Sequence, residues 1–193
     1  LKDLFVFGCT TALRYSDLIN LKPTNIEVIG NNTYVYVRSQ KTQTYSRIYL
    51  PAYAINILWK YRRRKTSLFP PISGVNFNLA IKKIALLAGW TEEIQKTRNK
   101  RGQPQTIFKE LEHKTNYRFC DLVSSHTMRR TAITTMLRMG MNETNVRLIS
   151  GHTAHSPSFY RYVFFADSFM EEEMDKFHAK FNALIKVNNG LNM

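Results

Sequence analysis

The stretch Ser125-His126-Thr127-Met128-Arg129-Arg130-Thr131 carries the reading of this chain. Ser125 is a capping residue, and the pattern behind it predicts a helix from His126 to Met139. His126 and Arg129 stand at i and i+3, so they share one face of that helix. Both are expected in its first turn, where unpaired N–H groups and the helix dipole favour an anion. A cation placed there works against the dipole, so two of them point to a bound phosphate. The bland alternative is a capped helix whose histidine is merely packed.

Four further pieces surround this one. Leu148-Ile149-Ser150-Gly151-His152 closes a helix predicted over 143–150, capped by Asn142 and stopped by Gly151. Ala12-Leu13-Arg14-Tyr15-Ser16-Asp17 places an arginine in a turn between apolar segments within 2–22, and Ser16 or Asp17 could cap a second short helix. Gln40-Lys41-Thr42 sits at a hairpin tip. Ser158-Phe159-Tyr160-Arg161-Tyr162-Val163 supplies a tyrosine pair soon after His152.

Between these pieces, Ile26 to Ile29, the turn Gly30-Asn31-Asn32, Thr33 to Val37 and Ser46 to Leu50 predict a small three-stranded antiparallel sheet. Helices are expected from residue 52 into the run Arg62-Arg63-Arg64-Lys65, over 76–89 with Gly89 as C-cap, and over 168–187. Residues 91–106 are polar and basic and are expected to form a loop or mobile insertion. The fold class is therefore mainly α with a small antiparallel sheet.

Lys and Arg number 28 against 14 Asp and Glu, a formal charge of +14 in 193 residues. A fold does not need that excess; it suits a polyanion. The runs Lys60 to Lys65 and Lys96 to Arg101 could track phosphates or simply be solvated faces. A hydrophobic fraction of 44% is enough for a sizeable core. No apolar run approaches the roughly 18 residues of a membrane-spanning helix. Two cysteines are too few for a disulfide scaffold and agree with a reducing compartment. Cys120 with His113 and His126 fits no zinc spacing. The Glu171-Glu172-Glu173 cluster suits the start of the last helix rather than a metal.

The order Arg14, Lys41, His126-x-x-Arg129, Gly151-His152 and a tyrosine resembles the tyrosine recombinases of the phage-integrase family, over about residues 3–186. Thr11-Ala12-Leu13-Arg14-Tyr15-Ser16-Asp17-Leu18 is similar to that family's T-G-L-R-x-S-E/D-L box, with Ala12 where glycine is usual. Ser125 to Thr131 resembles the H-x-x-R box and Leu148 to His152 the L-G-H box. The F-x-x-Y style is similar to integrases of mobile elements in gut Bacteroidetes.

The resemblance implies metal-independent cleavage and rejoining of DNA through a 3′-phosphotyrosyl link, hence site-specific recombination or integration. Arg14 and Arg129 would fork onto the non-bridging phosphate oxygens and His152 would add a hydrogen bond. A phenol has a pKa near 10, so it needs a base or orienting group, for which His126 is the candidate. Lys41 would protonate the departing 5′ oxygen. Neither metal nor cofactor is expected, and there is no P-loop motif.

At the family's usual spacing after His152 stands Arg161, between Tyr160 and Tyr162. Aligning Phe159 to Val163 with the family's F-L-K-Y-I form selects Tyr162 and requires one extra residue in 153–158. Tyr160 is the alternative nucleophile, otherwise expected to pack against apolar neighbours. Two other readings stay open: type IB topoisomerase-like relaxation, and a DNA-binding protein without catalysis.

The resemblance further implies a single C-terminal catalytic domain over 1–193, preceded in family members by a DNA-clamping domain. The expected partner is double-stranded DNA carrying attachment sites, with no membrane. The expected assembly is a homotetramer on two duplexes, its 168–187 helices exchanged between protomers, and the isolated domain is a candidate monomer. The expected location is the bacterial cytoplasm.

Overall fold

A computed structural model describes residues 1–41, 43–167, 174–175 and 177–179. Helix α1 spans Lys2–Thr11 and α2 spans Tyr15–Ile19. The break falls at Ala12, which adopts the left-handed region (φ 57°) while its N–H bonds the Gly8 carbonyl. The cap of α2 is Arg14, not Ser16 or Asp17, and makes no side-chain cap bond. The chain turn, rather than a capping side chain, starts this helix.

Strands β1 (Ile26–Ile29), β2 (Asn32–Arg38) and β3 (Tyr45–Tyr49) form the expected antiparallel sheet in the order β1-β2-β3. Ile26 pairs with Val35, Val35 with Ile48 and Val37 with Ser46. The period-two alternation puts Val35, Val37 and Ile48 in the core and Tyr36, Tyr45 and Tyr49 outside.

Helices α3 (Ala52–Lys60) and α4 (Gly74–Leu87) follow; Arg62 to Lys65 lie beyond the end of α3. Ser73 caps α4, its hydroxyl accepting from the Asn76 N–H. Ala88 is the C-cap and Gly89 turns the chain with φ 78°.

Residues 91–106 differ from the expected loop. Strands β4 (Glu93–Ile94), β5 (Lys96–Lys100) and β6 (Gln103–Ile107) occupy them, and β7 (Tyr117–Arg118) pairs back with β4. Arg101 (φ 53°) and Gly102 (φ 81°) form a two-residue turn of the kind that matches strand twist, so β5 and β6 zip into an exposed hairpin. Its charge hid a turn signal.

Helix α5 (Phe119–Leu122) leads to α6 (Ser125–Arg138), α7 (Glu143–Ser150) and α8 (Pro157–Asp167). The α6 cap is Ser124, whose N–H donates to Thr127 Oγ1 at 3.0 Å while the Thr127 N–H donates to the Ser124 carbonyl, so the helix begins one residue earlier than expected. Asn142 caps α7 and Gly151 ends it at φ 63°, as expected. Pro157 opens α8, which the sequence reading left unassigned. The expected 168–187 helix and the Glu171 to Glu173 cluster lie largely outside the described residues; Met174–Asp175 and Phe177–Ala179 are helical.

One core gathers Phe7, Leu18, Leu21, Val35, Ile48, Leu50, Phe69, Phe77 and Met128. Each such side chain contributes roughly 1.5–3 kcal/mol by leaving water. A second cluster joins Ala12, Ala132, Ile133, Val146, Phe159 and Tyr162, and it fixes α8 against α6 and α7. Gly8 lets α1 lie close on α6: a Cβ there would meet Met128 Sδ at 2.6 Å and Met128 Cβ at 3.1 Å. That approach sets the distance between the α1 terminus and the next residue of α6, Arg129.

Candidate active site

Arg129 is 3% exposed. It lies in the second turn of α6, not the first as expected, because the helix starts at Ser125. Nη1 donates to the Ala12 carbonyl oxygen at 2.7 Å. Nη2 lies 3.3 Å from Nδ1 and 3.2 Å from Nε2 of His152. A nitrogen equally near both ring nitrogens sits over the imidazole face rather than in its plane. Burial, then the charge of Arg14, pulls the Arg129 pKa down to about 10, against opposing contributions from Tyr162 and Asp17.

Arg14 emerges from the α1–α2 break and donates from Nη1 to Ser39 Oγ at 2.9 Å. A Cβ on Gly151 would stand 3.8 Å from the same nitrogen, so Arg14 also borders the end of α7. The two guanidinium charges thus act on one another, and among the described residues neither makes an ion pair with a carboxylate. Such a pair is poised for an anion.

His152 follows the left-handed Gly151 and is held by Ser150, Oγ to Nδ1 at 2.7 Å. Its ring packs against Phe159 and Tyr162, centroids 5.2 and 5.9 Å away. Burial, then Arg129, Arg14, Arg147 and His126, pushes its pKa down to about 3. His126 is exposed at the second position of α6. Partial burial, then Arg129, Arg130, Arg14 and Lys41, lowers its pKa also. Lys41 is exposed on the β2–β3 tip, where the Gln40 N–H donates to Asp17 Oδ1 at 3.1 Å.

The tyrosine pair divides. Tyr162 is 8% exposed, packed against His152 and near enough to Arg129 for the two groups to act on one another electrostatically. Tyr160 is 54% exposed and lies under the Arg147 guanidinium, 4.9 Å from its ring centroid, rather than packing among apolar neighbours. A cavity of about 590 Å³ between α5, α6 and α8 opens beside His126 and Tyr162. Among the described residues no three His, Cys, Asp or Glu side chains group as metal ligands.

Of the six residues, drawn from five parts of the chain, Arg129, His152 and Tyr162 are linked by direct contacts, and Arg14, His126 and Lys41 lie within range of their charges or of one another's. Sequence reasoning missed the residues that hold them: Ser39 under Arg14, Asp17 under the Lys41 tip, Ser150 under His152, and Ser46, whose hydroxyl donates to the Leu148 carbonyl at 2.8 Å and ties β3 to α7. Asp17 stood inside a recognised box; a lone serine gives no comparable signal.

The description "Phage integrase family" matches residues 2–165. Among solved structures, the XerH site-specific recombinase bound to palindromic difH substrate aligns at TM-score 0.60 and 15% identity, over 92% of this chain and 45% of its own. The Tn1549 transposon integrase in complex with circular intermediate DNA aligns at 0.56 and 17% identity, over 89% of this chain and 59% of its own. The XerA recombinase gives 0.51 and 18% identity, over 85% and 61%. The chain thus spans less than two thirds of each of these proteins. No curated protein matches it. No helix among the described residues is long and apolar enough to cross a membrane. With the family match running from the first helix into α8 and the fold shared over most of the chain, the chain belongs to the phage integrase family.

Proposed function

We propose that the chain is the catalytic domain of a tyrosine site-specific recombinase, with Arg14, Lys41, His126, Arg129, His152 and Tyr162 as its catalytic residues. The observation that carries this reading is the placement of Tyr162, buried against His152, which itself contacts Arg129, while Tyr160 faces solvent. The substrate is double-stranded DNA at attachment sites of a mobile element, in the bacterial cytoplasm. The wording of the boxes supports a Bacteroidetes source. The working assembly is a homotetramer on two duplexes, with residues 168–187 exchanged between protomers and a DNA-clamping domain preceding this one.

In the proposed step the Tyr162 phenol oxygen attacks the scissile phosphorus and the bond to the 5′ oxygen breaks. The phenol proton passes to His126, and Lys41 supplies a proton to the departing 5′ oxygen. Arg14 and Arg129 hold the non-bridging oxygens, where charge builds in the transition state. The phosphotyrosyl link keeps the phosphodiester reactive, so a 5′ hydroxyl from another strand can attack it and restore the tyrosine.

Covalent trapping tests the reading. The full-length protein is incubated, without metal, with a nicked suicide duplex carrying its element's end. A denaturant-resistant adduct mapping to Tyr162 is expected. An adduct on Tyr160 would overturn the nucleophile assignment. Salt-sensitive binding of that duplex with no adduct would overturn the catalytic reading.

A further inference from the structure

Ser150 is buried at the last position of α7. Its Oγ lies 2.6 Å from the Val146 carbonyl oxygen, 3.4 Å from the Arg147 carbonyl oxygen and 2.7 Å from His152 Nδ1. A hydroxyl has one proton to give and lone pairs with which to accept. Both carbonyls can only accept. Were the proton turned toward Nδ1, two oxygens would face each other at 2.6 Å in a buried place with no hydrogen between them. The proton therefore goes to Val146, and toward His152 the hydroxyl accepts. Nδ1 must then carry a hydrogen. In a neutral imidazole the other nitrogen carries none.

The surroundings keep the ring neutral in the free protein. Arg129 of α6 lies over its face, Arg14 and Arg147 add positive charge, His126 is a further titratable neighbour, and Phe159 and Tyr162 of α8 pack its sides. None of these is a carboxylate. Nε2 is thus a lone pair where the proposed function requires a donor to a phosphate oxygen. An anion seated between Arg14 and Arg129 would reverse the local field and favour protonation there.

We propose that Ser150 is a positioning residue that fixes His152 in the Nδ1–H form, so that seating a DNA phosphate takes up one proton from solvent at Nε2. The second half rests on the proposed function; the first does not. The proton balance is simple: a solvent proton adds to the Nε2 lone pair, and the resulting N–H donates to the phosphate oxygen while Nδ1–H stays on Ser150.

The test has two arms. On the free protein, long-range nitrogen–proton NMR at neutral pH is expected to show His152 as the Nδ1–H tautomer. Ser150→Thr is expected to keep it and Ser150→Ala to move it toward Nε2–H. A wild-type Nε2–H tautomer would overturn the proposal without any need for DNA, or for the variants to fold. In the second arm, calorimetric titration of duplex site DNA into Tyr162→Phe protein is run in two buffers of different ionisation heat. Uptake of about one proton is expected, with affinity falling about tenfold per pH unit as pH rises. Ser150→Ala in the same background is expected to take up less, since a neutral ring can then donate from Nε2. Binding without proton uptake by a protein whose ring is Nδ1–H would overturn the coupling. Failure to bind DNA at all would instead count against the proposed function and leave the tautomer result standing.

Discussion

Arg129 and Ala12 are joined by a 2.7 Å hydrogen bond from the guanidinium to the main-chain oxygen, across 117 positions of sequence. The contact needs the left-handed turn at Ala12, which aims that carbonyl at α6. It holds a buried charge and ends a helix with the same atom pair. Arg129→Lys places a compact ammonium where a fork is required and leaves the buried carbonyl short of a donor. The expected destabilisation is about 1–3 kcal/mol by urea unfolding. Cleavage should fall by about 10²–10³-fold on the suicide duplex.

Arg14 shares its space with Arg129, and without an anion the two charges oppose one another. Removing one should relieve the free protein while disabling the site. Arg14→Gln is expected to leave the Tm unchanged or raise it, and to cut adduct formation by about 10²-fold or more. A clear drop in Tm would show that the Arg14–Ser39 bond outweighs the repulsion.

Gly151 combines a left-handed backbone with a tight neighbour. A Cβ there would lie 2.9 Å from Thr44 Oγ1, just before β3, and 3.5 Å from Ser46 Oγ in β3. Gly151→Ala should cost about 1–3 kcal/mol, from the left-handed conformation and overpacking together. Because it pushes β3 from α7, cleavage is expected to fall more than duplex affinity in paired gel-shift and trapping assays.

The tyrosines separate by exposure. Tyr162→Phe should abolish the adduct with little change in Tm, since the ring stays packed. Tyr160→Phe is expected to stay within a few-fold of wild type, because its ring stacks on Arg147 at the surface. Mass mapping of the adducts formed by wild-type and Tyr160→Phe protein, beside the expected absence of one from Tyr162→Phe, checks this directly.

His152 gives the free domain a pH dependence. Its folded pKa of about 3 lies below the ordinary value of 6.5, so the unfolded chain binds a proton that the folded one refuses. That contribution is complete above about pH 6.5 and is lost as pH falls from there toward 3. Tm should decline through that window and decline less in His152→Gln. Asp121, held down to about 2 by the Arg118 backbone N–H and the Lys109 and Arg118 side chains against its burial, adds a further loss between about pH 4 and 2.

The order of the boxes, the sheet over 26–50 and the capped helix over 143–150 were all legible in the sequence. Each is a local matter: a turn residue, a cap or an alternation acts within a few positions, and the chain itself displays it. The α6 start was off by one because Ser124 and Ser125 are both capable caps. Only the reciprocal bond with Thr127 distinguishes them. The Arg101-Gly102 turn was equally local, but its neighbours' charges suggested a loop.

Other features were decided by packing alone. Tyr160 and Tyr162 are two residues apart on a helix, about 200° around its axis, so they point to nearly opposite sides. No count of residues in the preceding loop says which side faces inward. The burial of Phe159 and Tyr162 against Ala132, Ile133 and Val146 does. The same holds for Arg129, Ser39 and Ser150, whose roles depend on a carbonyl, a guanidinium and an imidazole brought within 3 Å. The sequence by itself determined which chemical groups this protein has and in what order. The tertiary structure decided which of them meet, because a hydrogen bond is set by ångströms in space rather than by distance along the chain.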